Sequence, residues 1–289
     1  MEPALRADDL APGDREVAMR DWRDVQVRRV RDPADADFEA AYERLWREFG
    51  ARGEMERVRV VRERLAWDPA RPLPGAALAY ELLVLRRGGE LAAVRDHTAV
   101  VRLDAAGRPR PVPVVVHLSH AFVEPAHRGS GLAAWLRALP LEAARRCARA
   151  AGCAPDAPIV LAAEMELAGA APAEVPADPR ARALRLRSYE RAGFRKVDPA
   201  AAPYAQPDFR APERLAGQTP RAVPLGLVVR RVGRETESRM PAAELAAVVE
   251  AIYAVYGVHV PPRALEPLRA AAAAWTARPG RFRLLPPTA

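Results

Sequence analysis

The sequence predicts an α+β (α/β) fold, its elements running β-α-α-β-β-β-α-β-α-β-β with two further helices at the end. Three stretches carry that prediction. The run 112–123 is apolar and β-branched, is closed by Glu124-Pro125, and is followed by a glycine-bearing turn and an Ala/Leu/Arg-rich segment. Residues 77–86 and 90–103 read as two strands joined by Arg87-Gly88-Gly89, a tight-hairpin signal. Phe38, Tyr42, Leu45, Trp46 and Phe49 recur at the spacing of one helix face.

In chain order, residues 1–24 are charged and proline-bearing, an irregular lead-in. Residues 25–30 form a short strand. The amphipathic helix 35–49 ends at Gly50 and Gly53, and Met55, Val58, Val61 and Leu65 mark a second helix over 55–67. Pro69, Pro72, Pro74 and Gly75 make a loop before the hairpin. The turn at Gly107 leads into the central strand, and a helix over 133–151 stops at Gly152 and Pro155. A strand at 159–166, an Ala/Pro-rich surface loop at 167–179, a helix at 182–192 capped by Gly193 and a strand at 194–197 follow. Prolines exclude regular structure over 198–223; a strand at 225–232 and helices at 241–256 and 263–277 complete the chain.

Composition narrows the function. The 45 basic side chains include one lysine, Lys196, and the arginines are scattered among 37 acids rather than gathered in a stripe, so a formal charge of +8 gives no nucleic-acid footprint. Cys147 and Cys153 have no metal-ligand spacing, so neither a zinc site nor a disulfide framework is expected. No apolar leader and no membrane-length apolar run is present, and a cytoplasmic location is expected.

The glycine turn fails two phosphate-binding patterns. No Gly-Lys-Ser/Thr occurs, and Gly129-Ser130-Gly131 is followed by Leu132, Ala133 and Ala134 without a clear dinucleotide-binding unit. Arg128-Gly129-Ser130-Gly131-Leu132-Ala133, an Arg-x-x-Gly-x-Ala pattern after Phe122-Val123-Glu124-Pro125, does resemble the acyl-CoA pyrophosphate loop of the GNAT acyltransferase superfamily. Further on, Ser188-Tyr189-Glu190-Arg191-Ala192-Gly193-Phe194 resembles that superfamily's late helix with its tyrosine and Gly-Phe step. Arg182 and Arg185 depart from the pattern, standing where asparagine and alanine are usual.

The resemblance covers roughly residues 25–232, an acyltransferase domain, and leaves 233–289 as a C-terminal helical extension packing on it or on the second subunit of a homodimer. It implies a mixed, mostly antiparallel central sheet with helices on both faces. It also implies acetyl-CoA or another acyl-CoA as cosubstrate, no metal, and an unidentified amine acceptor for N-acetyltransferase chemistry by direct attack in a ternary complex. The alternative is a non-catalytic acyl-CoA-binding or regulatory domain. No membrane or nucleic-acid partner is expected.

On that resemblance, N–H groups of Gly129, Ser130, Gly131, Leu132 and Ala133 cradle phosphates beside Arg128; the alternative is a plain turn with Ser130 as helix cap. Backbone groups at Phe122 and Val123 polarise the thioester carbonyl. Tyr189 is the matched general acid, or else a packed aromatic. Strand alternation places His117, Ser119, Ala121 and Val123 on one face and His120 on the other. His117 is then a base candidate, or a satisfied strand histidine. Glu164 and Glu166 share a face of the next strand, as acceptor-binding carboxylates with one pKa raised toward neutral, making Glu164 a second base candidate, or as a solvent-facing pair.

Overall fold

Gly88 and Gly89 take φ of 58° and 85°, which β-carbon-bearing residues rarely adopt, and so turn the longest ladder of the molecule. It joins β2 (Ala76–Arg87) to β3 (Glu90–Arg102). In the computed structural model, described for residues 10–15, 24–50, 53–166, 179–209 and 222–289, this hairpin lies inside one mixed sheet. The strands before and after it are β1 (Val25–Val30), β4 (Val114–Val123), β5 (Ile159–Glu166), β6 (Arg195–Val197), β7 (Ala205–Gln206), β8 (Val223–Arg231), β9 (Arg239–Pro241) and β10 (Arg281–Leu285). Their order is β1-β2-β3-β4-β5-β8-β6-β10-β9, with β7 paired to β8. Every neighbouring pair is antiparallel except β4–β5. The fold is thus the mixed, mostly antiparallel sheet that the resemblance implies.

Helices cover both faces, which is why β2 and β3 are buried along nearly their whole length, although β3 carries Arg95-Asp96-His97-Thr98 at its centre. On one face lie α1 (Ala36–Phe49), α2 (Val58–Arg64) and, from the C-terminal segment, α6 (Ala242–Tyr256) and α7 (Pro262–Thr276). On the other lie α3 (Leu132–Ala138), α4 (Pro140–Ala150) and α5 (Pro179–Arg191). α6 buries Leu245, Val248, Ile252 and Val255 against the sheet, each such side chain contributing about 1.5–3 kcal/mol. Among the described residues no helix is long and apolar enough to cross a membrane.

Several expectations change. The helix predicted over 133–151 is two, because Pro140 cannot donate the backbone bond that would carry one helix through it. The second helix covers only Val58–Arg64 of the predicted 55–67. The C-terminal segment supplies strands as well as helices: Leu284 pairs with Val197, so β10 extends the central sheet. Most of the lead-in, the loop at 167–178 and the proline-rich residues 210–221 lie outside the described residues. Of the lead-in, Ala11 is buried, and Asp14 pairs with Arg137 of α3.

Candidate active site

β4 and β5 run side by side for four residue pairs, Val114↔Ile159 to His117↔Ala162, and then part. β4 continues along β3 to Val123, while β5 continues along β8 to Glu166. Between them lies a cavity of about 310 Å³ that reaches His117 and Glu164 on one side and Tyr189 on the other. The parting also frees backbone groups. Glu124 N–H bonds Ala92 O at 2.9 Å, so by strand alternation Phe122 N–H turns to β3 and Val123 N–H turns toward the gap. Of the two residues named for carbonyl polarisation, Val123 therefore has the free geometry.

β4 carries a bulge. Asp96 faces His120 and Thr98 faces His117, so one residue of β3, His97, lies opposite two of β4, Leu118 and Ser119. The extra residue reverses the alternation and puts His117 and His120 on the same face. The expectation that His120 points the opposite way is therefore corrected.

The two histidines have different surroundings. His120 lies 2.9 Å from Asp96 Oδ1 through Nδ1 and 3.0 Å from Glu54 O through Nε2. Burial opposes its charge, but Asp96 outweighs burial and raises its pKa to about 9. Asp96 is held at about 2 against its own burial, chiefly by His120. Both ring nitrogens of this cationic His120 have acceptors, so it ties β4 to the loop between α1 and α2.

His117 Nε2 lies 2.9 Å from Glu164 Oε2. The Tyr256 hydroxyl of α6 donates to the same oxygen, and the Tyr204 hydroxyl donates to Oε1. Burial alone would raise the Glu164 pKa, but these hydrogen bonds, led by His117, hold it below its ordinary value. The raised pKa expected of one carboxylate of the Glu164–Glu166 pair does not fall on Glu164, whose controlling neighbours are His117, Tyr204 and Tyr256 rather than Glu166. Glu166 lies 3.6 Å from Arg185, and Arg182 donates to its carbonyl oxygen at 3.1 Å. The other ring nitrogen of His117 is Nδ1. That atom is buried and has no hydrogen-bond partner among the described residues.

At the end of β4 the turn Pro125–His127 leads to Arg128, whose Nε donates to Val123 O at 3.1 Å. Gly129 and Gly131 have φ of 74° and 96°, and a Cβ at Gly129 would project into open space. Ser130 Oγ donates to His127 O at 2.7 Å and accepts from Leu132 N at 3.4 Å, so one N–H of the expected cradle already has an acceptor. Ala133, in the first turn of α3, has no intrahelical acceptor for its N–H.

Tyr189 stands near the end of α5, its ring 4.8 Å from Phe194 in an edge-on contact. Arg95 faces it from β3; burial lowers the Arg95 pKa against the pull of the Tyr189 hydroxyl. Arg137 holds the helix in place, bonding Ser188 Oγ at 2.8 Å and both carboxylate oxygens of Asp14. Tyr189 packs with the cluster beneath α4, whereas Tyr256 packs with the cluster beneath α6. The gap is therefore reached from both faces of the sheet.

Tyr204 and Tyr256 were missed by sequence reasoning. One sits in a proline-rich stretch and the other in an apolar helix, and neither setting signals a site. Among the described residues no three His, Cys, Asp or Glu side chains are grouped to hold a metal ion.

No protein-family profile matches the chain, and no curated protein matches it. Solved structures do. A tandem GNAT protein from the clavulanic acid biosynthesis pathway is 18% identical, with 63% of this chain and 46% of that chain covered at a TM-score of 0.36. The chain thus spans under half of that protein. For yncA of Salmonella typhimurium, solved with its cofactor acetyl-CoA, identity is 21% over 73% of this chain and 95% of that one, at a TM-score of 0.37. An acetyltransferase of GNAT family from Streptococcus pneumoniae is 15% identical, with 72% and 99% covered at a TM-score of 0.32. Among solved structures, the chain is similar to GNAT acetyltransferases.

Proposed function

We propose that this chain is an acyl-CoA-dependent N-acyltransferase that moves an acyl group, acetyl in the simplest case, to an amine. The observation that carries the reading is the parting of β4 and β5 beside a positive-φ glycine turn. It leaves a cleft open through the sheet, with a backbone N–H at Val123 and a turn that is open to an approaching group at Gly129. Both are demands of a pyrophosphate-bearing thioester.

In this reading acyl-CoA lies along the turn Arg128–Ala133, and the amine approaches from the side of His117. An alkyl amine has a pKa near 10.4, so it must lose a proton to attack. His117 is the base that takes that proton, and Glu164 holds its ring through Nε2. The C–N bond forms as C–S breaks, and the Tyr189 hydroxyl protonates the leaving sulfur. Glu166, alongside in the cleft, adds negative charge that favours a cationic acceptor. Tyr204 and Tyr256 keep Glu164 anionic, so the C-terminal helix α6 completes the site.

The reading is tested by thermal shift with CoA, acetyl-CoA and longer acyl-CoAs, since a ligand that binds only the folded state raises Tm. A rise with CoA supports it, and the acyl series gives the chain length accepted. No rise with any of them refutes it.

A further inference from the structure

A second cavity, about 850 Å³, lies between α6, α7 and the start of β2, away from the cleft. That is within the usual size of small-molecule sites, about 300–1,000 Å³. Its floor is apolar: Leu78, Val249 and Ala272 are buried there. Its rim holds Arg102, Arg110 and Arg269 with the single carboxylate Glu250.

The three guanidinium groups are not equally satisfied. Arg110 bonds Glu250 Oε2 at 3.1 Å, and Arg269 donates to Tyr253 O at 3.2 Å. Arg102 is half-buried, has no hydrogen-bond or ion-pair partner among the described residues, and its Nε is shut off from solvent. Burial lowers its pKa, and Arg110 and Arg269 push the same way against Glu250. A half-buried, unpaired cation with two like charges nearby is an unfavourable arrangement that an anion relieves. A guanidinium fork takes a carboxylate or a phosphate through two N–H groups. A bare inorganic anion would leave the apolar floor in water, so the occupant needs an apolar part as well.

We propose that this groove is a second ligand site, for an organic anion that carries a carboxylate or phosphate head on an apolar body. The inference does not depend on acyl transfer. The test is isothermal titration of the full chain with octanoate and octyl phosphate, using octyltrimethylammonium and inorganic phosphate as controls.

One octyl anion should bind at a single site, and which one binds tighter identifies the head group. Both controls should bind at least about tenfold more weakly. Arg102→Gln should weaken the anion about tenfold or more, the scale of one charge-assisted hydrogen bond. Ala273→Trp, at an exposed position lining the groove, should obstruct it and weaken binding whether or not the Arg102 variant folds. The proposal is overturned if neither octyl anion binds or if the octyl cation binds equally well. Binding that survives Ala273→Trp unchanged also overturns it, because the ligand then sits elsewhere, including in the acyl-transfer cleft.

Discussion

His117 and Glu164 meet at 2.9 Å across two strands that part immediately beyond the His117↔Ala162 pair. The parting leaves His117 with one nitrogen committed and one bare. His117→Gln should therefore lower turnover by about 10²–10⁴-fold, the usual worth of a general base, and leave acetyl-CoA affinity nearly unchanged. Steady-state kinetics beside calorimetric binding separates the two effects. Unchanged turnover, where chemistry limits the rate, would remove His117 from the mechanism.

Tyr256 connects this pair to the C-terminal segment. Tyr256→Phe removes one donor to a buried carboxylate and should cost roughly 1.5–3 kcal/mol of stability, the range for hydrogen bonds to charged groups. It should also raise the Glu164 pKa, because one of the causes holding it down is lost. Turnover and its pH profile should move while KM for acetyl-CoA stays fixed. A stability loss with an unaltered profile would leave Tyr256 a packing residue.

These relationships mark where the sequence was legible. The hairpin, the central strand and the glycine turn were readable because local chemistry dictates them: glycine at positive φ, β-branched side chains on a covered strand, proline ending it. The bulge at Leu118–Ser119 was not, since nothing in Leu118-Ser119-His120 announces an unpaired residue, and it decides which way His120 faces. Glu164 is a base candidate from the sequence, but its partners Tyr204 and Tyr256 lie far along the chain and arrive only through tertiary packing. Pro140 stands within the helix predicted over 133–151, and its missing N–H outweighs the alanine-rich helix propensity around it.

Tyr189→Phe should lower turnover while acyl-CoA still binds, because the ring keeps its contact with Phe194 and only the proton donor is lost. Thiol leaving-group dependence provides the check. The variant should be impaired less with acyl donors whose thiols are more acidic, and equal impairment across donors would contradict the role of acid.

The His120–Asp96 pair predicts a pH dependence of stability. The folded His120 pKa, about 9, lies above the ordinary 6.5, so its stabilisation is fully present below about pH 6.5 and is lost as pH rises through 9. The Asp96 pKa, about 2, lies below its ordinary value of 3.8, so its contribution is present above that value and is lost as pH falls through 2. Stability should then fall between pH 6.5 and 9 by on the order of 2–3 kcal/mol, and His120→Gln should flatten that fall. Chemical denaturation across the range measures it; an equal fall in the variant would assign the slope to other groups.

The central claim is amine-dependent acyl transfer, and its most direct measurement is release of free CoA thiol from acetyl-CoA across a panel of amines. The wild type should release thiol only when an accepted amine is present. Gly131→Glu should abolish release together with the Tm rise given by CoA, because it places bulk and negative charge beside the phosphate turn. Changing a glycine at φ 96° costs about 1–2 kcal/mol of stability, so its Tm without ligand is read alongside. Tight CoA binding with no thiol release across the panel would contradict transfer and leave an acyl-CoA-binding domain. Equal CoA binding by the wild type and Gly131→Glu would contradict the site itself.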